Sequence, residues 1–285
     1  MCTIRTDADV ERVPSLLFIV CLFSCSQLTT RHKQVAHNSA HPIYSPQQPA
    51  LSVGNVPQLA VDLFASSLDL AHVCNVDSDA LLPLCGCDSH APPHTGELCT
   101  PAELFRRTTT PSTDALRPAA LQLRTPPAPG AARRWCTALA AWVRDTVGAA
   151  RTVLLVTVPR ARALPVLAPG AATVPRVLAT AAWGPLEGEW KPLEGAMRED
   201  ALAPGSVAAQ LFGALDAAGV PAAVVAVPCA EGDNVPDAVA LASWCAQFFG
   251  LVAPGDTAFR WRPPPSWNAS TFWGAAVDDC ASEYL

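Results

Sequence analysis

The sequence predicts an α/β protein, a single three-layer domain in which helices flank a mostly parallel central sheet. Two continuous apolar runs, RTVLLVTV at 151–158 and PAAVVAVPC at 221–229, are typical of strands that are buried on both faces. Helical segments alternate with these strands, and such alternation favours parallel pairing. A chain of 285 residues is long enough to bury a core of this kind.

The first helix is predicted directly after the turn SVGN. Asn55 stands at its N-cap position, and Pro57 lies in the first turn, where a missing N–H is tolerated. Gln58 is placed to complete a capping box with Asn55. The turn and the amphipathic segment after it therefore form one unit.

The middle of the chain supplies further elements in order. AALQLR at 119–124 predicts a strand, and an apolar face with a closing glycine predicts a helix over 132–148. RVLATAA at 176–182 predicts a short strand, and 205–219 predicts a helix capped by Ser206. With the two buried runs, these elements complete the alternating pattern.

The last predicted helix follows the acidic loop EGDN. Asn234 is a good N-cap, Pro236 falls in the first turn, and Asp237 sits at the third helical position, beside the positive end of the helix. Capping explains these residues without a ligand.

The domain is predicted to occupy 49–262, between a disordered or atypical leader at 1–48 and a C-terminal tail at 263–285. The leader contains VPSLLFIVCLFSCSQ, which is apolar enough for a signal-peptide core but too short to span a bilayer. Acidic residues before this run weaken the signal-peptide interpretation. A real leader, a signal peptide and a mis-joined exon all stay open.

Charge and cysteine usage limit the partners and the compartment. The formal net charge is −6 and there is no basic run, so nucleic acid is not the expected partner. The 11 cysteines are scattered through the chain, which favours free and mostly buried thiols in a reducing compartment over a disulfide framework. A secreted, cysteine-rich protein glycosylated at Asn268 remains an alternative.

One segment carries donor types that suit zinc. Its candidates lie within 15 residues of one another, and they are Cys85, Cys87, His90, His94 and Cys99. Structural zinc sites commonly use C-x2-C pairs, whereas this segment has C-x-C. We therefore expect a surface loop with incidental thiols and no metal or other cofactor.

A small-molecule site is the other chemical alternative. Ligands of open α/β sheets bind at the carboxyl ends of strands, where the SVGN and EGDN loops are expected. Asn55, Asp233 and Asp237 could then line a pocket of a binding protein or an enzyme. The chain lacks the motifs G-x-S-x-G, G-x-x-x-x-G-K-[ST] and G-x-G-x-x-G at a strand end, and every histidine lies at or before His94. These observations favour a protein that is not an enzyme.

Aromatic residues interleave with proline and arginine near the C-terminus. Such residues are enriched at interfaces, but they also fix an extended segment to its own domain. We expect Trp261 and Trp267 to pack on this domain and leave Phe272 and Trp273 open.

Four segments, in this order, resemble the PAC2 family of proteasome assembly chaperones: PALSVGNVPQLAVDL, LQLR, AEGDNVPDAVALASW and FRWRPPPSW. The likeness runs from residue 49 to about residue 274, and the SVGNV and EGDN-x-PDA blocks are its specific parts. The residues carried over as family-motif loops and helix caps are Ser52, Gly54, Asn55, Gly232, Asp233, Asn234, Pro236 and Asp237.

The resemblance implies a non-enzymatic chaperone without a cofactor, in the cytoplasm and nucleus. It implies a heterodimer with proteasome assembly chaperone 1 that binds α-type subunits of the 20S proteasome, promotes formation of the α ring and prevents off-pathway α-ring dimers. Nucleic acid and membranes are not implied as partners. The C-terminal residues Tyr284 and Leu285 would contact the α ring, or else belong to a plain disordered end.

Three departures from the family pattern stand out. The residues before PALSVGN are HPIYSPQQ, so the apolar strand expected there is missing or replaced. Pro57 stands where the family usually has glycine, which a first helical turn tolerates. Glu283 precedes Tyr284, where related tails carry a hydrophobic residue.

Overall fold

A computed structural model gives the fold around one large mixed sheet. The structure describes residues 2–10, 16–21, 53–91, 98–107, 117–160, 174–186, 190–230, 232–252 and 259–269. Within these residues, nine strands pair in the order β1-β3-β6-β7-β2-β8-β11-β9-β10, and β4 pairs with β5 in a separate hairpin.

The strands are short at the edges of the sheet and long in its middle. Their bounds are β1 Arg5–Thr6, β2 Leu16–Cys21, β3 Leu70–Asp77, β4 Gly86–Cys87, β5 Leu98–Cys99, β6 Ala102–Arg107, β7 Arg117–Leu123, β8 Arg151–Pro159, β9 Arg176–Ala179, β10 Lys191–Pro192 and β11 Ala222–Cys229.

The four middle strands, β7, β2, β8 and β11, are parallel to one another. The strands outside them join antiparallel, β6 on one side and β9 on the other. β8 is buried from Thr152 to Val158 and β11 along its whole length. Consecutive side chains of a strand point to opposite faces of the sheet. Because both faces are buried here, these two segments are apolar without a break.

The described residues contain five α-helices. They are α1 Val56–Ser67, α2 Ala132–Trp142, α3 Gly195–Ala201, α4 Val207–Ala217 and α5 Val235–Phe248. α1 packs against α5, and α2 packs against α4. Since the central strands are covered on both faces, these pairs form the two outer layers, and the predicted three-layer α/β fold is confirmed. Among the described helices, none has the length and apolar character that crossing a membrane would need.

Two predicted helix ends match the structure. The Ser206 hydroxyl accepts a hydrogen bond from the amide of Ala209 at 3.1 Å, as an N-cap does. α2 continues into a π-helical turn, Val143–Val147, and ends at Gly148, whose φ of 63° is left-handed.

The leader contributes a strand to the middle of the sheet. β2 comes from the apolar run that resembled a signal-peptide core, and it pairs in parallel with both β7 and β8. Ile19 and Val20 are each 1% exposed. The apolar strand that we expected to be missing or replaced is therefore replaced by residues 16–21, and the sheet begins before the predicted boundary at residue 49. The polar stretch that begins at residue 28 separates this strand from the rest of the domain in the sequence.

A C-terminal strap, residues 259–269, lies along α1 and α5. Trp261 is 3% exposed, its indole N–H donates to the Ser243 hydroxyl at 2.8 Å, and its ring meets Phe64 edge-on at 5.7 Å. Trp267 is partly buried against the core. Packing of both tryptophans on the domain is confirmed, whereas Phe272 and Trp273 lie outside the described residues. The strap continues into a 3-10 turn, Pro265–Ala269, past the predicted start of the tail at 263.

Replacing Ile19 by alanine tests the position of β2. Truncating a fully buried aliphatic side chain leaves a cavity, so Ile19→Ala should lower the free energy of unfolding by about 2–5 kcal/mol. Leu98→Ala is the control, because Leu98 is 61% exposed and should change it by less than about 0.5 kcal/mol. Urea unfolding of both variants gives the comparison, and equal, small changes would contradict a central β2.

Candidate functional site

The two motif loops meet beside the central strand β8. The turn at 53–55 precedes α1 and contacts β8, and the EGDN loop joins β11 to α5. Gly54 has a left-handed φ of 67°, and a Cβ built there would overlap the side chain of Asn234. The backbone of one motif is therefore packed directly on a side chain of the other.

Asn234 is held in this contact by hydrogen bonds on both ends of its carboxamide. Its Nδ2 donates to the carbonyl of Gly232 at 2.7 Å, and its Oδ1 accepts from the thiol of Cys229 at 3.0 Å. The residue is 7% exposed. A buried amide with both ends paired is fixed in orientation, so Asn234 fills the space between the loops.

The capping roles differ from the prediction. Asn55 and Asn234 occupy the two N-cap positions, but neither side chain makes a cap hydrogen bond. Asn55 is left-handed with φ 55°, away from the extended conformation that points an N-cap side chain at the helix. The capping box of Asn55 with Gln58 is therefore wrong. Pro57 does lie in the first turn as predicted.

Asp233 takes over the local role that we assigned to Asn234. Its Oδ1 accepts a hydrogen bond from the amide of Val235 at 3.2 Å, at the start of α5. The Asn234 side chain turns inward to Gly54, and Pro236 and Asp237 lie in the first turn as expected. The sequence could not show which of two adjacent capping types faces the helix.

The charges around this junction include one residue that the sequence analysis missed. Arg160 directly follows β8 and interacts electrostatically with Cys229 and Asp237. Burial raises the pKa of Asp237 above its ordinary value of 3.8, Arg160 opposes that shift and Asp233 adds to it. An arginine directly after the buried run of β8 was the available signal.

The thiol at the junction is a hydrogen-bond donor. Burial, aided by the Asp237 carboxylate, raises the pKa of Cys229 to about 11 against the opposing charge of Arg160. A thiol is nucleophilic as its thiolate, so Cys229 is held in the unreactive form at neutral pH. The junction of Gly54, Asn234 and Cys229 is thus a packing contact that fixes the two loops.

Some of the predicted site residues lie outside the described part of the chain. Ser52 of the first loop and the tail residues Tyr284 and Leu285 belong to this group. Their roles stay predictions.

The β4–β5 hairpin separates the cysteines of the candidate zinc segment. A Cβ built at Gly86 would lie 3.4 Å from Sγ of Cys99, so these two positions share one face. Cys87 is next along the strand and therefore faces the other way. Cys87 is exposed, whereas Cys99 is buried. Within the described residues, no three His, Cys, Asp or Glu side chains are placed to hold a metal ion, and His94 lies outside them.

The described cysteines agree with the prediction of free, mostly buried thiols. All eight are free, and five of them are buried. The buried ones are Cys74, Cys99, Cys136, Cys229 and Cys245.

Known proteins resemble this chain over a range that includes the two motif loops. The model of the PAC2 family matches residues 48–256, a range that contains both motif loops. The chain belongs to the PAC2 family. It is 30% identical to proteasome assembly chaperone 2 of Danio rerio over 77% of this chain and 88% of that one. It is 27% identical to proteasome assembly chaperone 2 of Homo sapiens with the same coverage.

Solved structures share the fold of this PAC2-family chain. PbaA of Pyrococcus furiosus, an archaeal homolog of proteasome-assembly chaperone, superposes with a TM-score of 0.53 and 13% identity over 88% of this chain and 87% of that chain. PbaB of the same organism, an archaeal proteasome activator, superposes with a TM-score of 0.56 and 14% identity over 99% of this chain and 95% of that one. The predicted family resemblance is confirmed.

Replacing Gly54 by alanine tests the contact between the loops. The left-handed conformation costs a non-glycine residue about 1–2 kcal/mol, and overlap with Asn234 adds about 1–3 kcal/mol. Gly130→Ala is a matched control, because Gly130 has φ 75° and nothing within 4 Å of its built Cβ. Thermal unfolding should show a clearly larger loss for Gly54→Ala, and equal losses would contradict the contact.

Replacing Asp237 by asparagine tests the charge at the junction. Because the pKa of Asp237 is raised in the folded protein, its carboxylate lowers stability as the pH rises above 3.8. Asp237→Asn should therefore stabilise the protein at pH 7, by up to about 1 kcal/mol since the group is only partly buried, and the gain should vanish near pH 3.

The control for this charge is Asp79→Asn, which breaks the exposed pair of Asp79 with Arg134 at 2.9 Å. Denaturant unfolding at several pH values should show no gain for the control. A loss of stability in Asp237→Asn at pH 7 would mean that attraction to Arg160 outweighs the cost of burial.

Proposed function

We propose that this chain is a chaperone of 20S proteasome assembly that acts as a heterodimer with proteasome assembly chaperone 1. The observation that carries the proposal is the match to relatives named proteasome assembly chaperone 2 over 77% of this chain and 88% of theirs. Because the match covers most of both chains, the proposal concerns the whole domain.

The chaperone would hold α-type subunits while the α ring forms and would prevent off-pathway dimers of that ring. Such a role needs a stable surface and no covalent chemistry. The junction of Gly54 with Asn234 supports it, because the two family loops are fixed by packing and hydrogen bonds, with the Cys229 thiol kept protonated. We also propose that it acts in the cytoplasm and nucleus.

A non-catalytic mechanism works through differential binding. A chaperone that binds free or partly assembled α-type subunits more tightly than the finished particle stabilises the intermediates by mass action. It also covers subunit faces that would otherwise form wrong contacts. Its release then follows from competition by the correct neighbours, without a chemical step.

The experiment is native mass spectrometry of the full chain, tagged internally and purified from its own cells with a free C-terminus. We expect a complex with proteasome assembly chaperone 1 and α-type subunits that lacks a mature β ring. Deleting Tyr284 and Leu285 should keep the heterodimer and weaken the α-subunit contact.

Expression with and without the partner supplies the control. An obligate heterodimer exposes apolar surface when one chain is alone, so the yield of soluble protein should fall without proteasome assembly chaperone 1. A solitary monomer from cells, together with equal monomeric yield in both expressions, would contradict the proposed function.

A further inference from the structure

Two exposed thiols flank a glycine in the segment that forms β4. Cys85 directly precedes β4, Cys87 ends it, and both side chains are exposed. Side chains alternate along a strand, so these two thiols lie on one face. The opposite face meets β5, where Sγ of Cys99 lies 3.4 Å from a Cβ built at Gly86. The chain therefore presents an exchange pair, Cys85 and Cys87, on the outer face of β4.

The segment that carries the exchange pair is attached to the rest of the domain on both sides. Before the pair, the amide of Leu82 donates to the carbonyl of Pro126 at 3.3 Å, and the carbonyl of Leu82 accepts from the hydroxyl of Thr125 at 2.9 Å. After the pair, the hydroxyl of Ser89 accepts from Nη2 of Arg124 at 3.1 Å. These contacts hold the two thiols near each other, so a bond between them requires adjustment of only the three residues 85–87.

The span between the two thiols determines which kind of bond they can form. Two steps along an extended strand separate the Cα atoms by about 6.6 Å, close to the upper end of the roughly 4.4–6.8 Å that a disulfide spans. Gly86 eases closure, because a residue without a Cβ adopts backbone conformations that other residues avoid. A disulfide here is strained and exposed, and such disulfides are reduced readily. The spacing therefore suits a reversible bond.

The third thiol of this region is kept out of that chemistry. Cys99 is 4% exposed, and burial raises the pKa of its thiol. Because the thiolate is the nucleophile, a buried thiol of raised pKa attacks slowly. Cys99 also points away from the exchange pair, so it serves as an internal control.

We propose that Cys85 and Cys87 form a thiol–disulfide exchange site whose substrate is a low-molecular-weight disulfide of the glutathione type. The thiolate of one cysteine attacks a sulfur of glutathione disulfide, a mixed disulfide forms, and one glutathione leaves as its thiolate. The thiolate of the other cysteine then attacks the protein sulfur of the mixed disulfide and releases the second glutathione. The two protein thiols give up two protons and two electrons, and one glutathione disulfide becomes two glutathione thiols.

The concentration of glutathione decides which form of the exchange pair is present. Two groups joined by a short flexible linker meet at an effective concentration of about 1 mM. Glutathione at a similar concentration competes with the internal bond and keeps both thiols reduced. Accumulation of glutathione disulfide closes the bond. The pair is therefore a dithiol in a reducing compartment and a disulfide under oxidising conditions.

The experiment is equilibration of the full chain in glutathione buffers at neutral pH, followed by acid quenching, alkylation of the remaining thiols and mass spectrometry of peptic peptides. With free glutathione at about 0.1 mM, the internal disulfide should exceed the mixed disulfides about tenfold, because the effective concentration of the second thiol is about tenfold higher. Raising free glutathione to about 1 mM should lower this ratio about tenfold.

Three variants separate the exchange pair from its neighbour. Cys85→Ser and Cys87→Ser should each give a mixed disulfide with glutathione at the remaining cysteine of the pair and no internal bond. Cys99→Ala is the matched control and should keep the internal bond of the pair. Serine at either exposed position should leave the fold intact, which urea unfolding verifies.

Several results would overturn the exchange site. They are an unreacted dithiol, separate mixed disulfides at both positions with no internal bond, a bond between two chains, and an internal bond to Cys99. None of these results bears on binding to proteasome subunits. Failure of the exchange site is therefore distinct from failure of the proposed function, which native mass spectrometry tests.

Discussion

Burial of the adjacent strands β8, from Thr152 to Val158, and β11 is the constraint on which the rest of the fold depends. A strand covered on both faces can satisfy its backbone groups only through neighbouring strands, since water does not reach it. β11 provides one neighbour for β8, and β2 provides the other. The N-terminal run is therefore integral to the sheet: without β2, the free edge of β8 would lie in the centre of the core.

The same constraint explains the two motif loops. The turn at 53–55 contacts β8, and the loop that ends at Asn234 follows β11, the partner of β8, so the two following helices begin side by side. α1 and α5 pack together only if their first turns approach closely, and glycine at position 54 permits that approach to Asn234. The two family motifs thus form a contact between the first turns of α1 and α5. This contact fixes the surface of the domain where the two helices begin.

Much of this architecture could be predicted from the sequence. The continuous runs at 151–158 and 221–229, the Ser206 cap and the closing glycine at 148 each carry their signal locally. The predictions that failed concerned features that depend on tertiary contacts. Asparagine is a common N-cap residue, but the side chain of Asn234 points inward, where it accepts a hydrogen bond from Cys229 and packs on Gly54. Residues 16–21 are a continuous apolar run that suits a buried strand as well as a signal-peptide core, and the distant partners β7 and β8 decide between the two. Arg160 lies far along the chain from Cys229 and Asp237, so spacing alone could not place them together.

The central position of β2 also bears on how the chain is made. Ile19 pairs with Ala120 and Val153, so β2 is synthesised roughly a hundred residues before its partner strands. At typical rates of translation, an apolar strand with both edges unsatisfied persists for several seconds outside the ribosome. Non-local parallel pairing is also slow to form. The nascent chain therefore carries an apolar strand with unpaired edges until β7 and β8 have emerged.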